Sequence, residues 1–133
     1  MKSNYKLSKT NTVLLKSIQY FKVKSVSIVP NKSIVSELIH KEFPLLNSTT
    51  EPFDIVFIDE LNSITLHKYF KKKEPTNNSC IFLINAIHKN KKSATYWESI
   101  VNQNTVTVTI DMFYCGIVSF RNEQVKEHFK IRI

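Results

Sequence analysis

Two short runs, DIVFI at Asp54 to Ile58 and CIFLI at Cys80 to Ile84, constrain the fold of this chain more than anything else in it. Each is an almost unbroken stretch of apolar side chains with no polar residue alternating among them. A strand wetted on one face alternates; a strand covered on both faces does not, and such cover is the mark of a parallel sheet. Segments with helical spacing separate these runs. Asn11 to Phe21 carries Val13, Leu14, Leu15, Ile18 and Phe21 three to four residues apart, with Ser8 or Thr10 as the cap. Ser25 to Val29 predicts a strand stopped by Pro30. A helix follows over Ser33 to Lys41, with Ile34, Val35 and Leu38 inward, and ends before Pro44. Further helices are predicted over Leu61 to Lys72, with Leu61, Ile64, Leu66 and Tyr69 or Phe70 on a less tidy stripe, and over Lys92 to Gln103, with Ala94, Trp97, Ile100 and Val101 on one face. The intervening KKKEPTNN reads as a solvated turn.

The end of the chain reads differently. TVTVTI at Thr105 to Ile110 alternates strictly, and Tyr114 to Phe120 is apolar around Gly116. The connection between them is too short for a parallel crossover, so an antiparallel neighbour is required there. A charged helical turn near Asn122 to Glu127 and an extended tail, HFKIRI, complete the pattern. Alternating strands and helices that end in two strands specify one α/β domain over 1–133, its sheet mostly parallel with one antiparallel C-terminal strand.

Composition narrows the chemistry. Folding at this length buries about two-thirds of the surface of the extended chain, enough for a core without staples. The only glycine among 133 residues is Gly116. Phosphate cradles such as the P-loop or G-x-G-x-x-G need several residues without Cβ, so the chain carries neither. Cys80 and Cys115 both lie in apolar runs, which suits small buried hydrophobes in a reducing compartment better than a disulfide. With no membrane-length apolar stretch and no signal-peptide pattern at the N-terminus, the expected location is the cytoplasm. The net charge is +8, almost all of the excess being lysine. Clusters at Lys71 to Lys73 and Lys89 to Lys92 fit a nucleic-acid face, but arginine, the better reader of bases and phosphates, is represented only by Arg121 and Arg132. A solvated face from compositional drift is the preferred reading. His40, His67 and His128 lack ligand spacing, so no metal site is expected.

The final third carries a resemblance. A helix with the pair Trp97-Glu98, then VTVTID at Val106 to Asp111, an aromatic turn, a strand from Gly116 to Arg121, Glu123-Gln124 and Lys126 to Phe129 together resemble the C-terminal part of a family of small bacterial class I S-adenosylmethionine-dependent methyltransferase-like proteins. FDIVFID at Phe53 to Asp59 resembles that family's fourth strand, SCIFLINAIH at Ser79 to His88 its fifth, and Lys16 to His40 its entry helix and first strand. The resemblance implies a Rossmann-like methyltransferase-type sheet. The departures imply a truncated one. The first strand lacks the terminal acid and the Gly-rich turn that admit the cofactor. Only nine residues separate Phe43 from Phe53, where the family has a second strand bearing the ribose-binding carboxylate, a helix and a third strand. About five strands are therefore expected.

In an open α/β sheet, ligands bind beyond the carboxyl ends of the strands, so Asn31 to Ser33, Asp59 to Asn62 and Asn85 to His88 should line one crevice. Asp59 and His88 are the catalytic candidates, a carboxylate and an imidazole leaving neighbouring strands. Against this stands a plainer reading, in which Asp59 caps the next helix and His88 is a solvated loop residue. Asn31, Ser33 and Asn85 are vestigial cofactor-binding candidates. Ser33 opens a helix and could meet an anion with Lys32, or simply cap that helix. Trp97, Tyr96, Phe113 and Tyr114 could form a stacking platform for bases, but Trp97 lies on an apolar helix face and is expected in the core.

These readings lead to a degenerate methyltransferase-like protein without cofactor or catalysis, acting through protein contacts, a homodimer included, at the sheet edge left by the missing strands. The alternatives are a minimal active methyltransferase that binds S-adenosylmethionine, and a basic nucleic-acid-binding module. No membrane association is expected.

Overall fold

The computed structural model describes residues 9–29, 34–47, 53–70, 80–103, 106–119 and 126–131. In chain order these form α1 (Lys9–Tyr20), β1 (Val26–Val29), α2 (Ile34–Glu42), β2 (Ile55–Ile58), α3 (Ser63–Phe70), β3 (Ile81–Asn85), α4 (Lys91–Val101), β4 (Val108–Asp111), β5 (Cys115–Ser119) and β6 (Glu127–Lys130). One sheet contains all six strands in the order β1-β2-β3-β5-β4-β6. β1, β2 and β3 pair in parallel, and β6 is parallel to β4. β5 is antiparallel to both its neighbours, β3 and β4. It is thus the single reversed strand, as the short link from β4 requires.

Among the described residues the sheet has six strands, where about five were expected. The extra one is β6, which contains Glu127 and three of the six residues of the expected extended tail. All four of its residues are exposed, so its side chains give no burial pattern. It is held by backbone bonds from Glu127 N–H to Thr107 O (2.7 Å) and Ile131 N–H to Asp111 O (2.7 Å), and by a 2.6 Å contact between Thr109 Oγ1 and His128 Nδ1. Of the expected helical turn, Glu127 is in the strand and Lys126 is not helical, its Nζ donating to Gln103 O (2.6 Å) and Val106 O (3.0 Å); the other residues lie outside the described residues.

The pleat explains why DIVFI and CIFLI do not alternate. Ile55 and Phe57 face α1 and α2, packing with Leu14, Ile18, Val35 and Ile39, while Val56 and Ile58 face α3 and α4, packing with Leu66, Phe70, Trp97 and Ile100. β3 divides likewise, with Leu83 on the first side and Phe82 and Ile84 on the second. Both faces are covered over β2 and the middle of β3, so both parities are apolar there, while Ile81 at the start of β3 is half-buried.

Helix details correct three expectations. Thr10 does not cap α1. It is buried inside the helix, and its hydroxyl donates to Tyr114 O (3.3 Å). Phe21 and Ile64, placed on inward stripes by their spacing, are 56 % and 75 % exposed. α3 starts after Leu61 and buries Leu66 and Phe70, as its spacing predicted, together with Thr65. Trp97 is buried as its helix face predicted, and Cys80 and Cys115 are free, buried thiols. Among the described residues, no helix is long and apolar enough to cross a membrane.

Candidate functional site

β1, β2, β3 and β4 point their carboxyl ends the same way, and two cavities open there. The first, of about 420 Å³, is lined by Asp59, Asn62, Asn85, Lys89, Lys92 and Tyr96 among others. Asp59 leaves β2 with its N–H donated to Val29 O (2.8 Å), and its Oδ1 accepts from Asn85 Nδ2 at the end of β3 (3.1 Å). Two of the expected site residues therefore meet directly. Asp59 does not cap α3. That role belongs to Asn62, whose Oδ1 accepts Thr65 N–H (3.0 Å) while Thr65 Oγ1 accepts Asn62 N–H (3.0 Å). Across the cleft, Asn90 caps α4 by accepting Ser93 N–H (2.9 Å). The helix ends facing the cleft are thus closed by their own side chains.

His88 does not join Asp59. Ala86, the first residue after β3, is left-handed (φ 57°) and donates its N–H to Tyr114 O (2.8 Å). The turn closes with Lys89 N–H on Ala86 O (3.1 Å), and Ile87 is fully buried beneath it. This geometry delivers His88 to the β4–β5 hairpin, where its Nε2 lies 2.7 Å from Asp111 Oδ2. His88 is therefore neither a partner of Asp59 nor a free loop residue.

Around this pair lies a second cavity of about 370 Å³, lined by His88, Asp111, Phe113, Lys130 and Ile131. Asp111 is buried, and its other oxygen accepts the Phe113 N–H (2.8 Å). Phe113 stacks on the His88 ring with centroids 5.7 Å apart and meets Tyr114 edge-on at 5.0 Å. Lys9 Nζ sits over the Tyr114 ring at 4.5 Å. Asp111 was not among the expected site residues, and Phe113 was considered only as part of a stacking platform. The signal for Asp111 was parity: Thr109 and Asp111 share a strand face, and a carboxylate at the buried end of a strand needs a partner.

Asn31, Ser33 and Lys32 lie outside the described residues, as do Lys71 to Lys73. Lys89, Lys91 and Lys92 are exposed. Cys115 and Cys80 have thiols pushed up by burial. Cys115 rises to about 11, with the Thr10 hydrogen bond opposing the shift and the Asp111 charge adding to it. Cys80 rises to about 12, the Asp54 charge adding to burial. Both are protonated at neutral pH and unsuited to nucleophilic attack. Among the described residues, no three metal-ligating side chains cluster. Comparison of the chain with protein-family models, with curated proteins and with solved structures gave no match.

Proposed function

We propose that this chain is a methyltransferase-type α/β domain that no longer binds S-adenosylmethionine and works by contact with another protein chain. The observation that carries the reading is the position of β1 at the edge of the sheet that the described residues form. In the family that the sequence resembles, further strands lie in the deleted stretch, and one of them supplies the carboxylate that holds the ribose. Here the chain after α2 returns to β1 through one parallel bridge, Ser25 to Asn47, with Val26 N–H donating to Asn47 O (2.9 Å). The parallel neighbours β1, β2 and β3 suit the family's first, fourth and fifth strands, and the reversed β5 suits its C-terminal hairpin. An edge strand of this kind recruits other strands. Isothermal titration with S-adenosylmethionine and S-adenosylhomocysteine tests the loss of cofactor binding. No saturable heat is expected at micromolar ligand, and micromolar binding would overturn the proposal.

The cleft of about 420 Å³ beside Asp59 and Asn85 favours a second reading, a minimal methyltransferase with a rebuilt pocket. It requires that Asp59→Ala abolish methyl transfer while leaving the far-ultraviolet dichroism intact. Absence of turnover in the wild-type protein across nucleic-acid, protein and small-molecule acceptors removes its support.

A further inference from the structure

We propose that His88 is the proton acceptor of a separate small-ligand site, the cavity it shares with Asp111, Phe113, Lys130 and Ile131, and that the ligand is a small planar weak acid of the phenol type. The proposal goes beyond the loss of cofactor binding and needs no cofactor. The position fits an open α/β sheet, since the cavity lies beyond the carboxyl ends of β3 and β4.

The pairing with Asp111 sets the chemistry of the imidazole. A buried carboxylate on Nε2 keeps the proton of the neutral ring there, leaves the lone pair on Nδ1, and stabilises the imidazolium once Nδ1 takes a proton. His88 Nδ1 has no partner among the described residues, and about a third of the side chain, 33 %, is open to solvent. Asp111 is in turn fixed by the Phe113 N–H, so the base is braced through the hairpin as well as by its own loop.

Phe113 supplies an independent observation. Its φ is 70° and it is 53 % exposed. A bulky side chain in the left-handed region is strained, and the contacts of the ring with His88 and Tyr114 still leave about half of it in water. Gly or Asn would suit the turn better. The ring instead forms, with Ile131, an apolar wall of a cavity whose polar groups are His88, Asp111 and Lys130. Lys130 is exposed and has no partner among the described residues. A single aromatic ring fits a cavity of about 370 Å³.

The step balances without a further reactant. The ring hydroxyl lies between His88 Nδ1 and Lys130 Nζ; its O–H bond breaks, an N–H bond forms on Nδ1, and the electron pair stays on oxygen as a phenolate facing Lys130. The imidazolium charge is met by Asp111. His88 would be the catalytic residue of this site and Asp111 its positioning residue.

The test uses 4-nitrophenol, whose ionised form absorbs visible light, with the full-length chain at a pH slightly below the probe's own pKa. A saturable gain in phenolate absorbance is expected with the wild-type protein. His88→Gln should abolish it, while His67→Gln, altering an exposed histidine on α3, should leave it unchanged. Lys130→Met, on an exposed strand, should weaken the complex about tenfold, the effect of losing a charged hydrogen bond. Phe113→Gly relieves the left-handed strain, so its fold is not at risk, yet it should bind the probe more weakly. Asp111→Asn, whose amide can accept from or donate to Nε2 and so no longer fixes the ring tautomer, should lower the gain while stability in urea melts stays close to wild type, a split that a merely structural clasp does not produce. No saturable gain in the wild type, a full gain in His88→Gln, or unchanged binding in both Lys130→Met and Phe113→Gly overturns the proposal.

Discussion

Gly116 shows how one residue can be constrained without any unusual backbone angle. It pairs with Ile84 on one side and Asp111 on the other, in the middle of the sheet. A Cβ built there would lie 2.5 Å from Trp97 Cη2 and 2.6 Å from Cζ3. The sheet is thus pressed against the indole, and the residue must have no side chain. Gly116→Ala is expected to destabilise the fold by about 2 kcal/mol through overpacking. In urea melts the double variant with Trp97→Phe should lose less than the two singles summed, because the smaller ring vacates the space. Strict additivity would show that the strain lies elsewhere.

The cysteines give a second prediction at this scale. Their thiols rise from 9.0 in the open chain to about 11 and about 12 when folded. The folded state therefore favours the protonated form, so this contribution to stability is fully present below pH 9.0 and is lost as pH climbs through 11 to 12. Melting temperature should fall over that alkaline window, and less so in Cys80→Ala/Cys115→Ala once the cavity cost is allowed for. At pH 8 a thiol reagent should label neither cysteine until denaturant is added. Prompt labelling of the native protein would contradict the burial.

Among elements, α4 offers the cleanest perturbation. Asn90 caps it, and the residue is exposed, so Asn90→Ala removes the cap without touching the core. A loss of about 1 kcal/mol is expected in thermal or chemical melts, with Asn90→Asp close to neutral. The same scale shows what could be read from the sequence. Parallel strands were legible in DIVFI and CIFLI because two-sided burial leaves a compositional trace. The reversal of β5 was legible because the link after β4 is short. β6 was not legible, since EHFK buries nothing and owes its place to backbone pairing with β4. In the site, Asp59 and Asn85 were found because both stand at strand ends next to each other in the sheet. The partner of His88 was not, because a left-handed Ala86 steers the loop, and that torsion has no signature in a non-glycine residue.

For the molecule as a whole, the two edges of the sheet, β1 and β6, bear on partners more than the net charge of +8 does. Diffuse lysine charge predicts weak binding to DNA or RNA that disappears at moderate salt; affinity surviving with a steep, many-phosphate salt slope would revive the nucleic-acid reading. The β1 edge makes a sharper prediction. Successive residues of a parallel strand point their backbone groups alternately to either side. Ser25 and Val29 accept bonds from the β2 side, so Val26 and Ile28 face outward. Val26 N–H is taken by Asn47, whereas Ile28 N–H has no partner among the described residues. A second copy adding a strand there would occupy that amide first. Hydrogen exchange at Ile28 should therefore slow as protein concentration rises, in step with a rise in mass by light scattering, while Val26 stays protected throughout. Fast, concentration-independent exchange at Ile28 with a monomeric mass would exclude self-pairing and leave a different protein chain as the partner of this edge.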